Sequence, residues 1–259
     1  MNELVQLGNF PRSRLPQRPF STASAYYSTL ADIHLEHLST QRNDAVESAK
    51  DCRRKYVARH LFRKLASEMR LDKHGIFESG PFKIFCDDLR PTNVLLNKDF
   101  KIVAVIDWEF TYAAPVGFCY SPPWWLLLET PEDWPWGLED WEFQYERRLQ
   151  TFLSALEAKE QESLQQGTLE SDQILSISMR QSCMSGAFFV NYAARKSWAF
   201  DAVFFKWVDK RFFGDDGGDW LGTRLPLLTT QERETMEPFV GRKLAEAKER
   251  MLYDSSPRH

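Results

Sequence analysis

No stretch of this 259-residue chain is basic enough to hold nucleic acid by bulk charge: 33 Lys and Arg stand against 37 Asp and Glu, a net charge of -4. Long apolar runs are missing too. Trp124–Leu128 is as long an uninterrupted run as the sequence offers, far short of the ~20 residues that a membrane-spanning helix requires. The first twenty residues mix Pro11, Pro16 and Pro19 with Arg12, Arg14 and Arg18, and so lack the apolar stretch of a secretory signal. Cysteine is sparse. Cys52, Cys86, Cys119 and Cys183 are widely spaced and form no C-x-x-C pair, which suits a reduced compartment better than a disulfide scaffold. A soluble cytoplasmic protein, without nucleic-acid or membrane partners, is therefore expected. No G-x-G-x-x-G occurs anywhere in the chain. What the sequence has in quantity is aromatic surface, with 19 Phe, 9 Trp and 8 Tyr.

The proline-interrupted residues 1–20 read as an irregular arm. From Ser21 to Leu38 the period becomes helical, with Tyr27, Leu30, His34 and Leu38 on one face. A second helix fits Asn43–Arg70, where Val57, Leu61, Leu65 and Met69 recur every four residues behind an Asp44–Glu47 capping pair. The pattern then turns to short strands: Phe82–Phe85, Asn93–Leu96 and Lys101–Ile106, the last two joined by a hairpin turn at Asn97–Phe100. Beyond Asp107 an irregular, proline-rich stretch is expected. Helices return at 138–156, where the polar residues from Glu157 to Gly167 are expected to end the first of them. Two more fit 171–195 and 198–213, and a final helix runs through Met251 behind a Thr229–Glu232 capping box. The fold class that follows is α+β, mainly α.

The chemistry concentrates in Cys86-Asp87-Asp88-Leu89-Arg90-Pro91-Thr92-Asn93, with Asp107 fourteen residues further on. A hairpin that starts at Asn93 and ends at Asp107 can set the two side by side. An amide oxygen and a carboxylate are the hard oxygen ligands that Mg²⁺ prefers, with positions left for water and phosphate. Asp88 can face the same space as a base for an alcohol nucleophile, and Arg90 can offset charge on a phosphoryl group.

Asp88-Leu89-Arg90-Pro91-Thr92-Asn93 resembles the D-L-x-P-x-N core of the kinase catalytic loop. Val105-Ile106-Asp107-Trp108-Glu109 resembles the I-D-W-E element of aminoglycoside phosphotransferase-like and choline kinase-like enzymes. The specific motifs lie in residues 84–110, and the overall pattern looks like the fungal branch of that family. The resemblance implies a protein kinase-like C-terminal lobe over residues 21–254, with a short tail at 255–259. It implies Asp88 as catalytic base, Asn93 and Asp107 as metal ligands that also hold the nucleotide, and Mg²⁺ and ATP as cofactors for transfer to a small-molecule hydroxyl.

Departures accompany it. The position two before the base, usually His, is Cys86, and the usual Gly after it is Asp87. The family's N-terminal lobe, with its Gly-rich loop and strand Lys, has no counterpart upstream of Asp88, where the sequence reads as helical. A truncated or degenerate member with weak ATP binding is the expectation; a non-catalytic, pseudokinase-type interaction protein is the alternative.

From Trp108 to Glu146 there is no Lys or Arg, yet eight acids and six tryptophans are present. Such a window suits a cationic substrate through ion pairing and cation–π attraction, or else a tryptophan core under a solvated acidic face. Burial decides between them. His34 and His37 share a helix face without an evident third metal ligand, and read as a core and surface pair. The Asp215–Asp219 loop reads as a surface turn.

Overall fold

The computed structural model describes residues 4–5, 10–42, 45–68 and 79–249. In chain order its main elements are α1 (Ala23–Thr40), α2 (Ala49–Ser67), β1 (Phe82–Cys86), β2 (Val94–Leu96), β3 (Ile102–Val105), β4 (Thr111–Pro115), α3 (Leu138–Gln165), α4 (Ser176–Ser185), α5 (Ala187–Arg195) and α6 (Thr230–Glu249). A helical run with one π-helical turn, Phe204–Val208, lies between α5 and α6. The protein is mainly helical with a few short antiparallel strands. The chain divides into two compact units: residues 1–71 with 192–259, and residues 72–191.

In the first unit α1, α2 and α6 pack together. Thr22 caps α1 by accepting the Ala25 N–H, and the face carrying Tyr27, Leu30, His34 and Leu38 is buried, as its spacing predicts. α2 buries Val57, Leu61 and Leu65; Met69 lies outside the described residues. Its start differs from expectation. Ser48, not the 44–47 pair, is the cap: its hydroxyl accepts the Asp51 N–H, while the Asp51 carboxylate accepts the Glu47 N–H. Residues 43–44 lie outside the described residues. The arm is not merely irregular, because Leu4 and Phe10 are buried against Ile33. The Thr229–Glu232 capping box forms in both directions, and α6 follows it. The Asp215–Asp219 loop is an exposed turn: Asp215 and Asp216 accept the N–H groups of Gly217 and Gly218.

In the second unit the strands form two separate antiparallel pairs, β1 with β4 and β2 with β3. β4 falls where the sequence predicts irregular chain. It contains Pro115 and no clean alternation, and it is a strand because each of its residues pairs with β1, from Phe82↔Pro115 to Cys86↔Thr111. Two helix boundaries also move. α3 continues through the polar run to Gln165, since Glu, Lys, Gln, Ala and Leu are good helix formers whatever their periodicity, and Gly167 at φ 67° follows its end. The segment 171–195 is broken at Gly186, whose φ of 78° is open to glycine at little cost.

Glu160, buried on α3, holds the start of α4. Its carboxylate accepts the N–H groups of Leu175 (2.7 Å) and Ser176 (3.1 Å) and the Ser176 hydroxyl. Glu160→Ala leaves these donors buried and unmet. A loss of roughly 2–3 kcal/mol is expected, read as a lower urea midpoint, with Glu160→Gln recovering part of it.

Candidate active site

Strand β1 delivers the acidic pair to a turn and then sends the two carboxylates to different partners. Asp87 is tied to the chain entering β4: its N–H donates to the Phe110 carbonyl (3.2 Å), and its carboxylate accepts the Tyr112 hydroxyl (3.0 Å). Asp88, half-buried, meets the other side of the turn. Arg90 Nε donates to its Oδ1 and Asn93 Nδ2 to its Oδ2, both at 3.0 Å. Asn93 Nδ2 also donates to the Asp88 carbonyl at 2.8 Å. Pro91 opens a single 3-10 turn through Asn93, with φ preset by the ring, and the turn closes when the Asn93 N–H donates to the Arg90 carbonyl (2.9 Å). Asn93 is buried, at 4 % exposure.

The hairpin then brings the second acidic position back. Asn97 makes the turn by accepting the N–H groups of Asp99 and Lys101 on its side-chain oxygen, each at 2.9 Å. Val94 pairs with Val105, and the Ile106 N–H donates to the Asn93 carbonyl (2.9 Å). Asp107 is therefore next to the residue bonded to Asn93, as the spacing predicts. It sits at φ 59°, ψ 54°, the left-handed region that Asp tolerates better than most residues. This conformation turns the chain from β3 toward β4. The Cys86 Sγ donates to the Asp107 carbonyl (3.9 Å) and the Trp108 indole to the Val105 carbonyl (2.9 Å).

Of the residues singled out in the sequence, Asp88, Arg90 and Asn93 form one hydrogen-bonded group, and Asp107 stands exposed at the adjoining strand end. Arg90 is engaged with Asp88 rather than free for a phosphate. The donor chemistry fits a magnesium ion. Both acceptors of the Asn93 side-chain amide hydrogens belong to Asp88, which leaves the side-chain Oδ1 of Asn93 with only a 3.5 Å contact from the Thr92 hydroxyl, and the Asp107 carboxylate has no partner among the described residues. Among the described residues no three His, Cys, Asp or Glu side chains gather as a metal site, so water and phosphate oxygens would have to complete the shell. The fit to a nucleotide is poorer, because the sequence holds no G-x-G-x-x-G and Arg90 is already paired with Asp88. Sequence reasoning missed the Asp87–Tyr112 bond. Its only signal is an acid in place of a small residue beside the expected base.

In the acidic window Trp141 is fully buried, stacked at 4.5 Å on Tyr145, which stacks at 5.4 Å on Phe188. Trp141 is core. Trp124, Trp125 and Trp134 are half-buried and Trp136 is exposed; Trp134 donates to Asp140 (2.9 Å) and meets Trp136 edge-on at 5.2 Å. Glu129 and Asp133 face solvent. His34 and His37 are both buried in the first unit.

Comparison of the chain with models of protein families, with curated proteins and with solved structures gives no match.

Proposed function

We propose that the turn at Asp87–Asn93 and the hairpin closing on Asp107 form a phosphotransferase-like site acting on a small-molecule hydroxyl, in a kinase-like lobe. The observation that supports this most is the pair of bonds from the Asn93 amide to Asp88, which make base and metal ligand one rigid piece. Asp88 would orient the acceptor hydroxyl and take its proton as the new oxygen–phosphorus bond forms and the phosphorus–oxygen bond to the departing nucleoside diphosphate breaks. Arg90 leaves Asp88 Oδ1 for that step and offsets charge on the phosphoryl oxygens. Asn93 and Asp107 would hold Mg²⁺, which would supply charge neutralisation for the phosphate oxygens. ATP is the implied phosphoryl donor, bound weakly by this chain alone, and a cationic acceptor suits the acids and exposed indole of residues 108–146.

Mn²⁺ in place of Mg²⁺ gives a direct test. Paramagnetic broadening of the Asn93 side-chain amide signals is expected, and Asp107→Ala is expected to abolish it. Calorimetry with Mg-ATP is expected to give no micromolar binding. Absence of broadening at Asn93, or broadening that survives Asp107→Ala, would overturn the metal assignment. One observation favours the second reading, a non-catalytic interaction protein: the hairpin that carries the site exposes apolar side chains along both strands.

A further inference from the structure

Helix α2 carries seven Lys and Arg side chains, and five of them are ion-paired. Arg53 meets Glu237, Lys55 meets Asp51, Arg59 meets Asp201, Arg63 meets Asp32 and Lys64 meets Glu68. The remaining two, Lys50 and Arg54, stand one turn apart on the same side of the helix, with no ion pair or hydrogen bond among the described residues. Lys50 is exposed and Arg54 half-buried. The Arg54 guanidinium carbon lies 4.3 Å from the ring centroid of Phe205 and 5.6 Å from that of Trp220, and these two rings meet edge-on at 5.3 Å. Its Nε is sealed from solvent without an acceptor, while its two terminal nitrogens reach solvent, also without one. A sealed N–H with no acceptor is costly, and a guanidinium held on aromatic faces keeps its fork of donors free for an oxyanion.

The rings behind Arg54 are held from elsewhere. Phe205 stands on the π-helical turn Phe204–Val208, a widened turn that is rare and recurs at functional sites. Trp220 is fixed because its indole donates to Asp209, whose carboxylate is forked by Arg224. We infer that Arg54 and Lys50, against the rings of Phe205 and Trp220, bind the phosphate monoester group of a small molecule. Charge selects that class. The neighbouring carboxylates of Asp51 and Asp209 are already matched by Lys55 and Arg224, so two positive charges are left for a group that carries two negative ones. A carboxylate would leave one cation unanswered. A polyanion such as a nucleic-acid backbone would meet Asp216 and Asp219, which precede Trp220 and keep their charge while accepting the N–H groups of Gly218 and Gly222.

The inference goes beyond the phosphotransferase reading, concerns the unit of residues 1–71 and 192–259 rather than that of 72–191, and is tested with neither nucleotide nor metal, so either can fail alone. The Arg54 Nε–H resonance, identified by its loss in Arg54→Gln, reports from the site itself. Titration of the full chain with phenyl phosphate at low ionic strength and about pH 7.5, where the probe is a dianion, is expected to move that resonance saturably. A dissociation constant of about 1 mM or lower is expected. Benzoate, which has the same ring and a single charge, is expected to bind roughly fivefold more weakly or worse. Lys50→Gln, at a side chain already in solvent, is expected to weaken phenyl phosphate by roughly threefold or more. Arg54→Lys keeps the charge but not the fork, and is expected to lose roughly tenfold, followed through the Trp220 indole N–H. Lys50→Gln decides the matter alone should Arg54→Lys not fold. No saturable movement at Arg54, benzoate bound as tightly as phenyl phosphate, or an affinity untouched by Lys50→Gln would each overturn the proposal.

Discussion

Asp209→Ala is expected to destabilise the unit formed by residues 1–71 and 192–259 by roughly 3–5 kcal/mol, because it strands a buried guanidinium. Asp209 and Arg224 are both buried and meet in a fork, Nε to Oδ1 at 2.9 Å and Nη2 to Oδ2 at 3.2 Å. The Trp220 indole donates to the same carboxylate at 2.8 Å, and Arg224 Nη2 also reaches the Gly214 carbonyl. One carboxylate thus joins the end of the π-containing helical run, the Gly214 loop and the short helix Trp220–Arg224. Removing it leaves the buried guanidinium without a counter-charge and the indole donor without an acceptor. A fall in Tm of about 10 °C is the corresponding thermal reading. Asp209→Asn, which keeps the shape and one acceptor, is expected to lose less. Asp209→Ala combined with Arg224→Met is expected to recover much of the loss, because no unpaired charge remains. A single variant within ~0.5 kcal/mol of the parent would show that the fork is not what holds these elements together.

The features that the sequence made legible are those with local causes. The hairpin could be read from a β-branched run beside an Asn-Lys-Asp turn, and the turn forms because the Asn97 side chain replaces two backbone acceptors. The cap at Thr229 and the buried face of α1 are local in the same sense. β4 was not legible, since Thr111–Pro115 is a strand only through a partner about thirty residues away in the chain. The reach of α3 was misjudged because loss of apolar period does not say that a helix has ended; its last turns are mostly exposed, with Glu160 the buried exception, and are built from good formers. In the candidate site, the nearness of Asn93 and Asp107 followed from hairpin spacing. The sharing of Asp88 between Arg90 and Asn93, and the turning of Asp87 toward Tyr112, depend on side-chain rotamers that no spacing encodes.

The histidine pair of α1 was legible as a shared face but not as a liability to acid. His34 and His37 are each about 1 % exposed. His34 lies among Phe62 and Phe200, with one ring nitrogen on the Ala194 carbonyl at 3.2 Å and the other unpartnered; His37 packs edge-on against Trp198 at 4.7 Å with neither nitrogen bonded. The charged groups facing them are Arg59 on α2, Asp201 paired with Arg59, and for His37 also Lys243 on α6. Burial, reinforced by the Arg59 charge, lowers His34 to about 3 and His37 to about 4. A folded-state pKa below the unfolded one means that the native state holds these rings neutral. That contribution is complete above the unfolded value near 6.5 and is lost as pH falls through 6.5 toward 4 and 3. At about 1.4 kcal/mol per unit for each ring, roughly 4 kcal/mol should disappear between pH 7 and pH 5. His60 is also lowered, by burial with Glu232 opposing, so it acts in the same direction. For Asp201 burial acts upward, but the Arg59 charge and hydrogen bonds prevail and hold it below the usual carboxylate range, so its own contribution is lost only at still lower pH. The expected result is therefore a urea midpoint that falls steeply from pH 7 to pH 5, before the carboxylates titrate. In His34→Gln with His37→Gln the slope should be much shallower, even if the variant is less stable at pH 7. Should that variant not fold, the histidine ring-carbon resonances of the parent serve instead: two of the five should show no titration above pH 5. A midpoint equal at pH 5 and pH 7, or five histidines titrating together near 6.5, would show that these rings are hydrated rather than sealed in the core.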